Sequence, residues 1–174
     1  MHQNQSPTTT SRIAQRQRSM RCSLMLLLFA AGAAGAAPQP SPAMLEPVRG
    51  LVAFMSTRYA GEHPAVFAAH GVCIVENFAP FLFCGAGAAA RWETGFRSHA
   101  EGLTELSAQF GDAYDFSESG GRAYFSLPTT WTGRTQGRSF EEHGAWAFVL
   151  ERHGAKWWIL GYGWGVTAYR EGES

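Results

Sequence analysis

The second half of the chain is a succession of strand-like segments, and this feature constrains the fold most. Aromatic and β-branched residues cluster at 103–116, 122–132, 139–152 and 156–168, and glycine-containing turns separate the clusters. The pattern predicts a meander of four long antiparallel strands. Pro128 falls inside the second strand, where we expect a bulge or an edge because proline cannot donate a ladder hydrogen bond.

Helical periodicity comes before the strands. Apolar residues at intervals of three and four predict a helix with Pro47 in its first turn and Gly61 at its end: Leu45, Val48, Val52, Met55 and Tyr59. A short helix at 64–69, a buried strand at 72–78 and a helix at 85–99 follow. Trp92 and Phe96 form the apolar side of the last helix. Helices followed by strands predict an α+β fold, with the helices packed on one face of a curved sheet.

The first 36 residues have the pattern of a secretory signal peptide. Four arginines precede an apolar run at 24–31, which is shorter than the roughly 20 residues of a membrane-spanning helix. Ala34-Gly35-Ala36 has the small-residue pattern that precedes a cleavage site. We therefore predict a signal peptide at 1–36, a disordered proline-rich linker at 37–44 and one domain at 45–170. The protein is expected to be periplasmic or secreted, without a stable membrane anchor.

Charge and cysteine content limit the classes of partner and bound group that we expect. Without the first 36 residues, 10 of the 14 basic residues and all 14 acidic residues remain, which gives a net charge of −4. Nucleic acid is therefore not an expected partner. For Cys73 and Cys84 we favour two buried thiols over a disulfide, because a bridge needs a sharp chain reversal near Pro80. No histidine lies at a metal-ligand spacing, and no nucleotide-binding motif is present, so we expect neither a metal nor a cofactor.

Several short sequences, placed in this order of elements, resemble the nuclear transport factor 2-like (NTF2-like) superfamily and, within it, the SnoaL-like branch. They are Val-Glu-Asn-Phe-Ala-Pro at 75–80, Ala-Tyr at 123–124 and Lys-Trp-Trp-Ile at 156–159. The resemblance covers about 47–168. It implies a cone-shaped α+β fold, in which a strongly curved, mostly antiparallel sheet encloses an apolar pocket, and a homodimer. The superfamily contains isomerases, cyclases, dehydratases and binding proteins, so the resemblance implies no particular reaction.

The resemblance also draws attention to position 77. In the ketosteroid isomerase branch the matching residue is an aspartate that moves a proton, whereas this chain has Asn77, whose amide is not a usable base. The oxyanion-binding tyrosine of that branch is not matched either. Glu76 and His143 are the candidate general acids or bases. Glu76 either faces the pocket, where burial would raise its pKa, or caps a helix or faces solvent, and strand alternation alone does not decide between these.

Aromatic residues are numerous and give the candidate ligand-binding set, which also includes Asn77: Trp92, Tyr124, Trp131, Trp146 and Trp164. We predict that several of them line a pocket for a small apolar or aromatic molecule. Alternatively, Trp158, Tyr162 and Trp164 lie on one side of the last strand and form a dimer face. The sequence thus predicts an exported small-molecule-binding or dimerising protein. The alternative is a cofactor-free lyase, isomerase or cyclase that uses Glu76 or His143.

Overall fold

Two helices and seven strands make up the part of the chain that the computed structural model describes, residues 37–57 and 65–172. In chain order they are α1 Pro42–Ser56, β1 Cys73–Val75, β2 Leu82–Cys84, α2 Ala88–His99, β3 Leu103–Phe110, β4 Tyr114–Ser119, β5 Arg122–Thr135, β6 Arg138–His153 and β7 Lys156–Glu171. The predicted α+β organisation is confirmed. Within these residues no helix has the length and apolar character needed to cross a membrane. The predicted signal peptide lies outside them.

All seven strands belong to one curved sheet, in the order β2-β1-β7-β6-β5-β3, with β4 also paired to β5. β1 and β7 are parallel, and every other pair is antiparallel. The sheet is therefore mostly antiparallel, as predicted. One predicted strand, 103–116, is in fact two strands, β3 and β4, which lie one after the other along the same edge of β5.

Pro128 explains where that edge is interrupted. β3 ends opposite Thr129 and β4 begins opposite Ser126, and the backbone N–H of Gly111 donates to the carbonyl of Pro128 at 2.9 Å. The N–H and C=O of one strand residue point to the same side. A backbone N–H at position 128 would therefore point into the gap between β3 and β4. No strand residue pairs with position 128 there, so proline is tolerated.

A bulge in β7 at Leu160 changes which side chains face the core. The ladder between β6 and β7 shifts register there, so the alternation of side chains reverses across the bulge. Tyr162 and Trp164 are buried on the concave side of the sheet, whereas Trp158 is half-buried on the opposite face. The expectation that these three aromatic residues share one side of the strand is wrong.

Helix α1 begins earlier than the sequence predicts. Ser41 is its N-cap, and its Oγ accepts a hydrogen bond from the backbone N–H of Met44 at 3.4 Å. Pro42 occupies the first turn, and residues 42–44, which were predicted to belong to a disordered linker, are helical. The side chain of Gln39 also donates to the carbonyl of Ala113 at 2.9 Å. The predicted end of this helix lies outside the described residues.

Residues 65–72, which precede β1, contain no helix, in contrast to the predicted helix at 64–69, whose first residue lies outside the described part of the chain. Phe67 forms a parallel bridge with Ile159. The backbone N–H of Ala68 donates to the carbonyl of Ile159 at 2.9 Å, and the N–H of Ile159 donates to the carbonyl of Val66 at 2.8 Å. These hydrogen bonds to β7 satisfy backbone groups that the short helix would have paired internally.

Cys73 and Cys84 are joined by a disulfide, so the favoured interpretation as two buried thiols is wrong. The two residues are direct partners in the ladder between β1 and β2, and both are exposed. The chain reverses in a tight turn, where the N–H of Phe81 donates to the carbonyl of Phe78 at 2.8 Å. This hairpin places both sulfur atoms on the same face of the sheet.

The apolar core lies between the two helices and the concave side of the sheet. Helix α1 contributes a buried stripe, and α2 contributes Trp92 and Phe96, whose rings are stacked with centroids 5.4 Å apart. The side chains that are most completely buried come from both helices, β1 and the long strands: Val48, Leu51, Ile74, Trp92, Phe125, Trp146, Phe148, Leu150 and Ile159. This core fixes the strands that carry the site.

Candidate functional site

A cavity of about 300 Å³ lies on the concave side of the sheet, which is within the size range of small-molecule sites. Its polar lining consists of Glu76, Asn77, His99, Thr135, Glu142 and Tyr169. The remaining lining is apolar and mostly aromatic: Met55, Phe78, Phe96, Leu103, Leu106, Trp131, Phe140, Trp146 and Trp164. An apolar wall with a few convergent polar groups is the usual composition of a ligand site.

Glu76 follows β1 directly and points into the protein. The backbone N–H of Glu76 donates to the carbonyl of Phe81 at 3.0 Å, which continues the hairpin beyond the strand. Val72, Ile74, Glu76 and Phe78 are buried, while the residues between them are exposed. Of the alternatives that the sequence left open, the structure therefore selects the inward orientation, with only 6% of Glu76 exposed.

Two side chains from different elements hold the carboxyl of Glu76. Trp92 Nε1, on α2, donates to Oε1 at 2.9 Å, and the hydroxyl of Tyr162, on β7, donates to the same oxygen at 2.5 Å. Burial raises the pKa of Glu76 from 4.5 to about 7, although the hydrogen bonds from Tyr162, Trp92 and the backbone of Asn77 lower it. This carboxyl therefore exchanges its proton near neutral pH.

Glu142, the fifth residue of β6, is a second acid in the cavity, and it was not among the residues predicted for the site. Trp164 Nε1 donates to its Oε1 at 3.3 Å. Burial raises the pKa of Glu142, and the hydrogen bond from Trp164 opposes that shift. The sequence contained a signal for this placement. Glu142 and Trp146 are four positions apart, and side chains an even number of positions apart share a face of a strand.

His99, the last residue of α2, also lines the cavity. Its ring stacks on Phe78, with the ring centroids 4.8 Å apart and the planes at 16°. Burial lowers the pKa of His99, which favours the neutral imidazole. In the described part of the chain, no group of three or more His, Cys, Asp or Glu side chains is arranged to hold a metal ion.

The structure brings most of the predicted site residues together. Five of the eight line the cavity: Glu76, Asn77, Trp131, Trp146 and Trp164. Trp92 lies behind the cavity wall, where it is completely buried and holds Glu76. Trp146 also has a buried indole N–H that has no hydrogen-bond partner within the described residues.

His143 and Tyr124 do not line the cavity. His143 lies on the opposite face of β6, with Nδ1 3.1 Å from Thr130 Oγ1 and Nε2 2.7 Å from Glu141 Oε1. The hydroxyl of Tyr124 is 3.3 Å from Ser126 Oγ. His143 lies three positions before Trp146 on β6. Tyr124 pairs with Val149, which lies three positions after Trp146. An odd separation places side chains on opposite faces of a regular strand, so both side chains lie on the face of the sheet away from Trp146 and the cavity.

No protein-family model and no curated protein matches the sequence. Solved structures do match. A type 2 hexachlorocyclohexane dehydrochlorinase, LinA, is 7% identical with a TM-score of 0.63, over 75% of this chain and 87% of that chain. A scytalone dehydratase-like protein from Novosphingobium aromaticivorans is 12% identical with a TM-score of 0.59, over 76% and 87%. An NTF2-like superfamily protein from Salmonella enterica is 12% identical with a TM-score of 0.57, over 71% and 87%. The chain thus has the NTF2-like fold, as the sequence resemblance implied.

Proposed function

We propose that the cavity binds a small, largely apolar molecule and that Glu76 exchanges a proton with it. The observation that carries this proposal is a buried carboxyl at the cavity wall whose pKa is about 7. A group with a pKa near the working pH is suited to both accepting and donating a proton. Perturbed carboxyl groups in cavities are typical of functional sites.

The surroundings of Glu76 favour such a role over a purely structural one. Both side-chain donors bind Oε1, so we assign proton exchange with the ligand to Oε2. Tyr162 and Trp92 are held by the core, which fixes the carboxyl in one position before a ligand enters. His143 has no part in the proposal, because it lies on the other face of the sheet.

The reaction class that we favour is an elimination. Two of the similar structures are named as a dehydrochlorinase and as dehydratase-like, and both names describe eliminations. In such a step the carboxylate of Glu76 accepts a proton from carbon, the C–H electron pair forms a double bond, and the leaving group departs with its own bonding pair. No metal or cofactor is needed for this sequence of bond changes.

A nitrobenzisoxazole tests this proposal, because its ring opens when a base removes the proton on carbon and the product is a coloured phenolate. We expect turnover that rises with pH through about 7, since Glu76 must be ionised to act as the base. Glu76→Gln should lower the rate at least about a hundredfold. Glu141→Gln, on the opposite sheet face, is the matched control and should leave it unchanged. A Glu76→Gln protein that folds and retains the wild-type rate would exclude Glu76 as the base.

Export is a second part of the proposal. The exposed disulfide between Cys73 and Cys84 supports it, because disulfides persist mainly in oxidising compartments. Expression of the full chain with fractionation of periplasm and medium, followed by mass measurement, should give a protein that begins after Ala36. Recovery of only the uncleaved chain inside the cell would contradict export. The homodimer stays a prediction, and sedimentation of the exported protein tests it.

A further inference from the structure

Glu142 lies among aromatic side chains that come from all three central strands. In the cross-strand ladder it is flanked by Trp131 on β5 and Tyr169 on β7. Phe140 precedes it by two residues on the same face of β6, and Trp164 donates to its carboxyl. All five side chains line the cavity. A carboxyl group surrounded by aromatic rings has the composition of an ammonium-binding site, because ring faces attract cations.

The charge of this carboxyl is not balanced within the cavity. None of the described lining residues is lysine or arginine. Arg138 is close enough to influence Tyr169 but pairs with Glu171 at 2.7 Å. His99 is favoured in its neutral form, and Glu76 adds a second acid. A partly buried carboxylate without a cationic partner is costly, and a positively charged ligand would supply that partner.

The indole N–H of Trp146 is an unpaired buried donor next to the cavity. Trp146 is 1% exposed and lines the same cavity, yet its N–H has no hydrogen-bond partner among the described residues. Buried donors are almost always paired in folded proteins. The ring of Trp146 packs against that of Trp164, with centroids 4.8 Å apart, so this donor lies beside the indole that binds Glu142.

We propose that the ligand of the cavity carries an amine or quaternary ammonium group that binds Glu142 within these aromatic side chains. This proposal rests on the proposed function only in taking the cavity as the binding site. It does not require that Glu76 transfer a proton. The same arrangement disfavours a ligand with an anionic group, because it would meet two carboxyl groups and, among the described lining residues, no lysine or arginine.

Benzoylcholine is a suitable probe, since it combines an aromatic ring, an ester oxygen and a quaternary ammonium group. Its control is the uncharged isostere in which a quaternary carbon replaces the nitrogen. We expect the charged probe to bind at least about tenfold more tightly than the isostere, measured by quenching of tryptophan fluorescence and by calorimetry. Glu142→Gln should remove this preference, and Glu141→Gln, one residue away on the opposite sheet face, should retain it.

The outcomes separate this inference from the proposed function. Equal or weaker binding of benzoylcholine than of the isostere overturns the ammonium site and leaves the cavity as a binding site. A preference that survives in folded Glu142→Gln overturns the role of Glu142. If neither compound binds while the nitrobenzisoxazole is still turned over, the ammonium inference fails and the proton exchange by Glu76 stands.

Discussion

Tyr162 donates a hydrogen bond to Glu76 at 2.5 Å although 86 residues separate them in the sequence. The contact joins the last strand to the disulfide-closed hairpin. It gives the carboxyl of Glu76 a second buried side-chain donor beside Trp92. Burial raises the pKa of Tyr162 well above its ordinary value, so this hydroxyl remains a donor at neutral pH. Tyr162 therefore stabilises the ionised form of Glu76.

Replacing Tyr162 by phenylalanine should raise the pKa of Glu76 above its wild-type value of about 7. The reason is that the change removes a hydrogen bond that favours the carboxylate, while the ring and the burial of the site are retained. Carbon-13 NMR of labelled glutamate side chains measures this pKa, and the pH profile of nitrobenzisoxazole turnover should shift in the same direction. An unchanged profile would show that the short hydrogen bond has no influence on ionisation.

The contribution of Glu76 to stability should fall as the pH rises from about 4.5 to about 7. The folded-state pKa of Glu76 is raised, so the folded protein holds this proton through a range in which the unfolded chain releases it. Stability from this group is fully present below about pH 4.5 and is lost as the pH rises through about 7. The loss is about 3 kcal/mol for a shift of this size.

Urea unfolding of the oxidised protein at a series of pH values measures this loss. Glu76→Gln is the control, because an amide does not titrate and this component of the pH dependence should disappear. Glu142 contributes in the same direction in both proteins, since its pKa is also raised. Equal pH dependence in the two proteins would mean that Glu76 titrates normally in the folded state.

The α+β order and the cavity tryptophans could be predicted from the sequence, but the orientation of Glu76 could not. Alternation along a strand at 72–78 would place Ile74 and Glu76 on one face and Val75 on the other. Both faces would then carry apolar side chains. Periodicity gives no preference between two such faces. Only the packing of Trp92 and Tyr162 against one side makes that side the interior.

The disulfide and the position of Trp158 were missed for a similar reason. Cys73 and Cys84 become partners only through a hairpin whose tight turn is not evident from the residues alone. Trp158 changes face because of one extra residue at Leu160, and a bulge has no signal in hydrophobic alternation. Tertiary pairing, which sequence patterns do not contain, decided both features.

Removing the disulfide should lower the free energy of unfolding by about 3 kcal/mol, the value expected for closing a loop of this short length. Because Glu76 lies in this hairpin, loss of the disulfide should also weaken ligand binding in the cavity. The measurement is urea unfolding of the wild type and of the Cys73→Ala, Cys84→Ala double variant, each with and without reductant. Reductant should destabilise only the wild type. Equal stability of the two proteins under oxidising conditions would contradict a structural role for the bridge.

Gly144→Ala should disturb the cavity wall, whereas Gly165→Ala should not. A Cβ on Gly144 would overlap the ring of Trp164 and lie 2.5 Å from the carbonyl oxygen of Gly165, but a Cβ on Gly165 would meet nothing within 4 Å. Displacing Trp164 would remove its hydrogen bond to Glu142 and cost about 1 to 3 kcal/mol of stability.

Thermal unfolding and benzoylcholine affinity, measured on both glycine variants, test this expectation. Gly144→Ala should lose stability and ammonium preference together, because one displaced ring affects both, while Gly165→Ala should match the wild type. Loss of stability with an unchanged preference for the charged probe would separate Trp164 from recognition of the ligand. In that case the attraction for the cation would have to come from Trp131 and Tyr169, which flank Glu142 in the ladder.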